Sequence, residues 1–508
     1  MLNNIKSSYI LKLIFQKVAN KKKLKLVKYN KILLQKLEIT IEDYKSYKNL
    51  REFNNFCRDY FGEFSKFKDI KDIDIKKLEL SDFGPDFKRF LLLLNSVSFK
   101  NLEKLVFVFF RKIDINSLEW LKYDKIKELF LIGGQISDIK VLEKVKFEKL
   151  ELLNIVNNNI SDISPLKRVN FKELKSLNLA FNQITNINVL EEVNFPKLEK
   201  LYLGVNKIVN INVLEKVNFK FLKELDLYYN QISNIIENFN LANLEELKLN
   251  SNKISDINIL EKVKFENLKS LYLGSNQISD INILEKVNFP EIEILELSSN
   301  NITDINVLSK VKFPNLKKLN YENNKELTDI SVLSLAKFEK LNELDLSSTK
   351  ISDINCLVNA NFPELKILNL SYIERKDFSI LEKFNFEKIE ELILKGNKIT
   401  NINFLEKVCF KGLKKLNLSD NKISDINVLE KAKFEKLEIL ELNNNIISDI
   451  DVFKRINIEK MIKLDLSSNK IDEYKYDSLI QYLESKIQNV CVNLGKYVNK
   501  KLSTYKKK

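Results

Sequence analysis

The sequence predicts a repeat solenoid of the α/β class, in which short parallel strands alternate with short helices or 3-10 turns. Three observations lead to this fold class: a hydrophobic pattern that recurs about every 24 residues, a length of 508 residues with no Pro/Gly/Ser-rich linker, and only 9 glycines and 6 prolines. A single globular core stops growing at roughly 250–300 residues. A core extended in one dimension by stacked repeats accommodates the length.

The repeat is visible in segments that begin at Ile254, Ile278 and Ile423 and share the pattern I-S-D-I-N-[IV]-L-E-K. The first leucine of each L-x-L core, here called the marker leucine, recurs sixteen times at a spacing of 24, except for 22 before Leu247 and 25 before Leu344. Irregular repeats are expected upstream, around 78–94. The marker leucines are Leu105, Leu129, Leu153, Leu177, Leu201, Leu225, Leu247, Leu271, Leu295, Leu319, Leu344, Leu368, Leu392, Leu416, Leu440 and Leu464.

Each recurrent position has a physical role. L-x-L is a short strand whose two leucines point inward, because side chains alternate between the faces of a strand. Neighbouring units must stack to bury that face, which produces a continuous parallel sheet. A phenylalanine lies six residues before the marker leucine in thirteen of the sixteen units, and these rings are expected to stack inside the solenoid. The spacing N-x-x-E, as in Asn258 and Glu261, is that of a capping box and predicts a short helix.

The unit L-x-x-L-x-L-x-x-N-x-I resembles the leucine-rich repeat over roughly residues 76–490. I-x-D-I-x-x-L is similar to the short-repeat class of bacterial internalins and of a eukaryotic phosphatase regulator. This resemblance implies a curved horseshoe with the sheet on its concave face. It also implies that the asparagine five residues after each marker leucine forms a ladder of hydrogen bonds with backbone groups. These asparagines are Asn158, Asn182, Asn206, Asn230, Asn252, Asn276, Asn300, Asn324, Asn397, Asn421, Asn445 and Asn469.

Four units depart from the asparagine pattern, with Phe110, Gly134, Thr349 and Ile373 at that position. A buried amide must find hydrogen-bond partners, and these replacements offer fewer or none. A weaker ladder is expected there, especially near Thr349 and Ile373.

The residues one and three positions after the marker leucine point outward, and the resemblance implies that they contact partners. Aromatic side chains gather in the first half of these columns, and six of the eight charged residues in them are acidic. Aromatic residues are enriched as interface anchors. The alternative is that they are merely tolerated at a solvent-facing surface. The predicted partner-binding residues are Phe130, Phe181, Tyr202, Asp226, Tyr228, Tyr229, Tyr272, Glu296, Glu322 and Asp345.

The two ends lack the repeat, which divides the chain into a helical N-terminal cap (1–75), the solenoid (76–470), and a C-terminal cap with a basic tail (471–508). An amphipathic helix is expected over 478–487, followed by a short strand from Val490. Residues 5–31 resemble an F-box, although Lys6 stands where proline is usual and no tryptophan lies near position 30. The residues that match the F-box pattern are Ile5, Ile10, Leu11, Ile14, Phe15, Val18, Leu24, Val27 and Lys31.

The F-box resemblance implies that this segment binds the adaptor subunit of a cullin-type ubiquitin ligase while the repeats bind the substrate. The alternative is a plain cap that closes the exposed end of the solenoid core.

Composition restricts the chemistry. The absence of histidine excludes Ser-His-Asp and Cys-His nucleophile pairs, HExxH zinc sites and an imidazole base. Four scattered cysteines without a CxxC pair are expected to be buried, reduced thiols. No phosphate-binding loop and no uncharged apolar run of about 18 residues is present. No cofactor, metal or membrane span is therefore predicted.

The formal net charge of +14 suggests nucleic acid at first sight. Lysine alternates with glutamate through the repeats, however, and the concave columns are acidic, which repels phosphate. The positive excess is expected on convex loops and both termini. The predicted function is a non-catalytic, cytoplasmic scaffold that binds a protein partner, in the manner of a ubiquitin-ligase adaptor or of a plain recognition protein. The alternatives are an internalin-like surface adhesin and a nucleic-acid-binding protein.

Overall fold

The computed structural model describes residues 76–81, 91, 101–109, 112–237, 241–408, 410–432, 434–457, 459–486 and 491–493. The expected N-terminal cap and its F-box-like segment lie outside these residues. The described residues belong to two compact units. The first contains residues up to Ile136 together with Lys140–Leu150, and the second contains Ser137–Ile139 and the residues from Glu151 onward.

The first unit contains three parallel strands, β1 (Lys77–Ser81), β2 (Lys104–Val108) and β3 (Glu128–Ile132). It also contains two 3-10 helices, Asn116–Trp120 and Lys140–Glu143. Marker leucines pair with each other, because Leu78 lies opposite Leu105 and Leu105 lies opposite Leu129. Leu78 is thus the marker of an additional, longer repeat upstream.

The second unit stacks its strands in chain order, each parallel to the next, with marker leucine opposite marker leucine from β4 to β17. The predicted α/β repeat solenoid is confirmed. The strands are β4 (Leu152–Asn154), β5 (Ser176–Asn178), β6 (Lys200–Tyr202), β7 (Glu224–Asp226), β8 (Glu246–Lys248), β9 (Ser270–Tyr272), β10 (Ile294–Glu296), β11 (Lys318–Asn320), β12 (Glu343–Asp345), β13 (Ile367–Asn369), β14 (Glu391–Ile393), β15 (Lys415–Asn417), β16 (Ile439–Glu441), β17 (Lys463–Asp465) and β18 (Cys491–Asn493).

Short 3-10 helices connect the strands. In the second unit they are Ser164–Arg168, Asn188–Glu191, Asn212–Glu215, Asn258–Glu261, Asn282–Glu285, Asn306–Ser309, Ser331–Ser334, Asn355–Val358, Ser379–Lys383, Asn403–Glu406, Asn427–Glu430 and Asp451–Lys454. The predicted capping box is wrong. Asn258 is the first helical residue, and its N–H donates to Oδ1 of Asp256 at 2.8 Å. A single 3-10 turn is too short for a capping box, so the side chain two residues upstream caps it instead.

Within each of the two units, the core is continuous along the stacked repeats. Every marker leucine is at most 1% exposed. The phenylalanines inside the solenoid stack between successive repeats, with ring centroids 6.2 Å apart for Phe338 and Phe362 and 6.3 Å apart for Phe362 and Phe386. Phe434, near the end of the series, is only partly buried. The buried rings, such as Phe338 and Phe362, lie inside the protein and are not available to a ligand.

The recurrent asparagine amides hold the turns together. Nδ2 of Asn276 lies 2.9 Å from the carbonyl oxygen of Leu273 in its own turn and 3.0 Å from that of Leu249 in the preceding repeat. Its Oδ1 accepts the N–H of Ile254, also in the preceding repeat, at 3.0 Å. Each amide therefore satisfies backbone groups of two repeats at once, and the same bonds recur at the neighbouring asparagines, such as Asn300.

The ladder is reduced where asparagine is replaced. The hydroxyl of Thr349 donates to the carbonyl oxygen of Leu346 at 2.8 Å, within its own turn. Ile373 has no polar side-chain atom, although its N–H donates to Oδ1 of Asn397. Phe110 lies outside the described residues.

One inward position carries an unusual side chain. Tyr321 occupies the place where most repeats have the second leucine of L-x-L, it is fully buried, and its hydroxyl has no hydrogen-bond partner. Burial raises the pKa of Tyr321. A buried hydroxyl without a partner is destabilising.

The second unit ends with the helix α1 (Glu473–Lys486), which begins five residues before the predicted helix, and with β18, which pairs with β17. Leu479 and Leu483 of α1 are buried. The hydroxyl of Tyr476 donates to the carbonyl oxygen of Leu466 at 3.2 Å. Helix α1 therefore packs on the last regular repeat.

We expect Asn276→Leu to lower the free energy of unfolding by about 1–3 kcal/mol, because it leaves buried backbone groups of two repeats without partners. Chemical denaturation monitored by circular dichroism measures the change. Asn301→Leu, the same substitution at an exposed neighbour, is the control and is expected to have little effect. Equal stability of the two variants would contradict the role assigned to the amide.

We expect Tyr321→Phe to raise the free energy of unfolding by about 1 kcal/mol, because it removes the unpartnered hydroxyl and keeps the ring. The same denaturation experiment applies. A loss of stability would mean that the hydroxyl is hydrogen bonded in solution.

Candidate functional site

The predicted partner-binding residues fall in both units. Phe130 lies on β3 of the first unit, where Nζ of Lys104 is 4.5 Å from its ring centroid. The other nine lie in the second unit, on or just after β5 to β12. We call the outward-facing residues of β4 to β17, together with those that continue each strand, the sheet face.

Four aromatic residues of the second unit, Phe181, Tyr202, Tyr228 and Tyr229, lie on or just after three neighbouring strands, β5 to β7, and are called the aromatic group. The rings of Phe181 and Tyr228 meet edge to face, with centroids 6.4 Å apart. The ring of Tyr228 lies over Gly204, where a Cβ atom would be 2.3 Å from it. Glycine at that position therefore makes room for the ring.

Tyr202 is fixed by its hydroxyl, which donates to Oε2 of Glu224 at 2.5 Å. Burial and this hydrogen bond raise the pKa of Tyr202. Tyr272 lies two strands beyond β7, and Nζ of Lys248 is 5.6 Å from its ring centroid.

The predicted acidic residues are held by uncharged donors. Oδ1 of Asp226 accepts the N–H of Tyr228 at 3.0 Å, and burial raises the pKa of this carboxyl. Oε1 of Glu296 accepts the N–H of Ser298 at 2.9 Å. Oδ2 of Asp345 accepts a hydrogen bond from Nδ2 of Asn369 at 2.7 Å.

Glu322 lies between two of these carboxylates. It is exposed, and its pKa is raised by desolvation and by the negative charges of Asp345 and Glu296. Glu296, Glu322 and Asp345 follow one another on or just after the adjacent strands β10 to β12. The structure thus brings three predicted acidic residues together.

The sheet face contains one further column, which the sequence-based prediction did not include. The residue before each marker leucine also points outward, as the alternation of side chains along a strand predicts. Lys200 forms an ion pair with Glu224 at 2.7 Å, and Lys318 forms one with Glu343 at 2.6 Å. Lys248, in a predicted column, forms its ion pair with Glu246 of the missed column. These residues surround the predicted ones.

The net positive charge of the chain comes from its two terminal segments. Residues 1–75 contain 17 Lys+Arg and 9 Asp+Glu, and residues 494–508 contain six lysines and no acidic residue. The remaining segment, 76–493, is formally neutral. Because the two predicted columns hold six acidic and two basic residues, the rest of this segment carries four more positive than negative charges, as expected. Its loop lysines pair with glutamates of neighbouring repeats, such as Lys269 with Glu245 and Lys317 with Glu293.

The two cysteines that the structure describes differ in their exposure. Cys356 is half-buried and free, and burial raises the pKa of its thiol to about 11. Cys491 is free and exposed, so the expectation of a buried thiol is wrong there, because it lies beside Lys463 in the outward column before the marker position. Cys57 and Cys409 lie outside the described residues.

The described part of the chain contains no group of three or more His, Cys, Asp or Glu side chains placed to hold a metal ion. No helix within it is long and apolar enough to cross a bilayer.

The chain is similar to known proteins through its repeats. The family model described as Leucine Rich repeats (2 copies) matches residues 148–192, 172–216, 266–310 and 387–431. The internalin inlF of Listeria monocytogenes is 29% identical, with a TM-score of 0.50, and the match covers 63% of this chain and 87% of the internalin. A leucine-rich repeat protein of Leptospira interrogans is 21% identical, with a TM-score of 0.55. The match covers 88% of this chain and 99% of the Leptospira protein.

No protein with a curated description matches the chain in sequence. The family model, the repeat register and the stacked parallel strands with their 3-10 connections agree. The matched segments are leucine-rich repeats, and the described strands continue the same repeat register along the chain.

Proposed function

We propose that this protein is a non-catalytic recognition module that binds a protein partner on the sheet face of its second unit. The observation that carries the proposal is the aromatic group, in which Phe181 is 46% and Tyr229 is 61% exposed. Exposed aromatic side chains on a rigid sheet supply large contact area at little conformational cost. Rigid repeats present such side chains without rearrangement on binding.

The charge distribution favours protein over nucleic acid as the partner. The carboxylates of Asp226, Glu296, Glu322 and Asp345 lie on the sheet face, where a phosphate backbone would be repelled. The repeat segment 76–493 carries no net charge that would attract a polyanion.

We expect Tyr202→Ala combined with Tyr228→Ala to reduce partner capture at least tenfold without unfolding the protein, since both rings are partly exposed. Affinity purification from the native cell followed by mass spectrometry identifies the partner, and binding of that purified partner gives the affinity. Tyr474→Ala is the control, because Tyr474 is exposed on α1 and outside the sheet face. Unchanged affinity of the double variant would overturn the proposal.

Two finer roles are open to experiment. In the first, the chain is a cytoplasmic substrate-recognition adaptor of a ubiquitin ligase, which rests on the F-box-like residues 5–31. In the second, it is a surface adhesin, which the 29% identity to a Listeria internalin supports.

A pull-down of the full chain with a purified cullin-adaptor subunit separates these roles. If the adaptor role holds, the chain binds the subunit and Ile14→Asp reduces the binding at least tenfold, because it places a charge on the matching apolar pattern. Ser7→Asp adds the same charge outside the pattern and is expected to bind normally. Absence of binding, or equal binding by both variants, would rule out the adaptor role.

A further inference from the structure

The position four residues after the marker leucine has a left-handed backbone throughout the second unit. Most repeats fill it with serine, asparagine, aspartate or glycine, of which the last three tolerate this conformation best. Four repeats carry bulky side chains instead. The residues in this column are Asn157, Phe181, Val205, Tyr229, Ser251, Ser275, Ser299, Asn323, Ser348, Tyr372, Gly396, Asp420, Asn444 and Ser468.

Three of the bulky residues follow one another. Phe181, Val205 and Tyr229 have φ angles of 56°, 53° and 52°, and we call them the turn ridge. Bulky side chains, and β-branched ones above all, disfavour this conformation. Phe181 and Tyr229 are exposed and Val205 is only half-buried, so burial does not offset the strain. Backbone strain that no packing interaction compensates indicates a functional constraint.

The fourth bulky residue has an internal role that the turn ridge lacks. The hydroxyl of Tyr372 donates to Oδ2 of Asp420 at 3.1 Å, two repeats further on, and Nζ of Lys395 is 5.8 Å from its ring centroid. Tyr372 thus ties repeats together next to Ile373, where the asparagine ladder is reduced. The turn ridge shares Phe181 and Tyr229 with the aromatic group, and the ring of Phe181 contacts that of Tyr228. The two sets therefore form one apolar surface.

The sheet face beyond the turn ridge carries uncompensated negative charge. Its lysines are each engaged with a carboxylate, in the pairs Lys200–Glu224, Lys248–Glu246, Lys318–Glu343, Lys395–Asp420, Lys415–Glu391 and Lys463–Glu441. In the described part of the chain, Asp226, Glu296, Glu322 and Asp345 form no ion pair. The charges of Lys248 and Lys318 act on Asp226 and Glu322 only over a longer distance. Four carboxylates between β7 and β12 are therefore outside the ion pairs that the lysines form.

We propose that the turn ridge and these four carboxylates form one docking surface for an extended basic segment of a partner protein. Apolar side chains of the segment pack on Phe181, Val205 and Tyr229, and its lysines or arginines reach Glu296, Glu322 and Asp345. This inference rests on the proposed function and adds the chemistry of the partner. Cations complement the carboxylates that the protein's own lysines leave unpaired.

The geometry sets the spacing within the segment. Three strand intervals separate β7 from β10, which is about 14 Å at about 4.8 Å per interval. An extended chain advances about 3.3 Å per residue, so a basic residue at Glu296 or Glu322 should lie about four to six positions from an apolar residue at Tyr229, the nearest member of the turn ridge.

The test begins with a random dodecapeptide library displayed on phage and panned against the full chain. We expect enriched peptides to combine apolar residues with lysine or arginine four to six positions away. The most enriched peptide is then synthesised with a fluorescein label, and its Kd is measured by fluorescence anisotropy. No enrichment, or enrichment of acidic or uncharged peptides, would overturn the proposal.

Pairs of test and control variants show which residues of the protein bind the peptide. Phe181→Ser combined with Tyr229→Ser installs the residue that neighbouring repeats use, and should weaken binding at least tenfold while Tm stays the same or rises, because strain is removed. Glu296→Gln combined with Glu322→Gln should weaken binding at least threefold. Tyr372→Ser and Glu441→Gln are the respective controls and should leave the Kd unchanged.

The remaining outcomes are also decisive. A fall in Tm for the turn-ridge variant would make Phe181 and Tyr229 structural residues and overturn the proposal. Concentration-dependent dimers that the variant abolishes, measured by light scattering after size exclusion, would assign the surface to a second copy of the chain. If Tyr202→Ala with Tyr228→Ala abolishes partner capture but the turn-ridge variant still binds the peptide, the proposed function stands and this inference fails.

Discussion

The buried asparagine amide is the interaction on which the remaining structure depends. It satisfies carbonyl and amide groups of two repeats at a turn where the backbone leaves the strand, and so fixes the turn in one geometry. Leaving those backbone groups buried without partners costs about 1–3 kcal/mol. The leucine and phenylalanine core provides the driving force, and the amides decide which turn the chain adopts.

That fixed turn has two consequences for the surface. The residue immediately before the amide must accept a left-handed backbone, which favours the asparagine, aspartate and glycine residues in this column. The strand before it always presents the same outward positions in the same register. A substitution on the sheet face thus changes the chemistry of the surface without changing its geometry, as expected of a recognition scaffold.

Much of this fold could be predicted because its signals are periodic. Sixteen marker leucines in register predict the strands, and the amide spacing predicts the turns. The helix caps could not be read correctly, since the spacing of Asn258 and Glu261 matches a capping box that a single 3-10 turn cannot hold. The unpartnered hydroxyl of Tyr321 depends on its neighbours in other repeats, which no local pattern reveals.

For the candidate site, the sequence predicts which columns face outward but not which side chains pair with each other. The alternation of side chains identifies the outward residues, yet only three-dimensional contacts reveal that Tyr202 bonds Glu224 and that the lysines are already paired. Net charge was the weakest guide, because its excess lies wholly in the terminal segments.

The uniform register also bears on how such a protein changes over generations. The strands around Leu271 and Leu295 offer the same pairing pattern to their neighbours, and the segments that begin at Ile254 and Ile278 are almost the same in sequence. Unequal recombination between such segments would add or remove one complete unit and rejoin compatible surfaces. The number of repeats, and with it the extent of the sheet face, can therefore vary in whole steps.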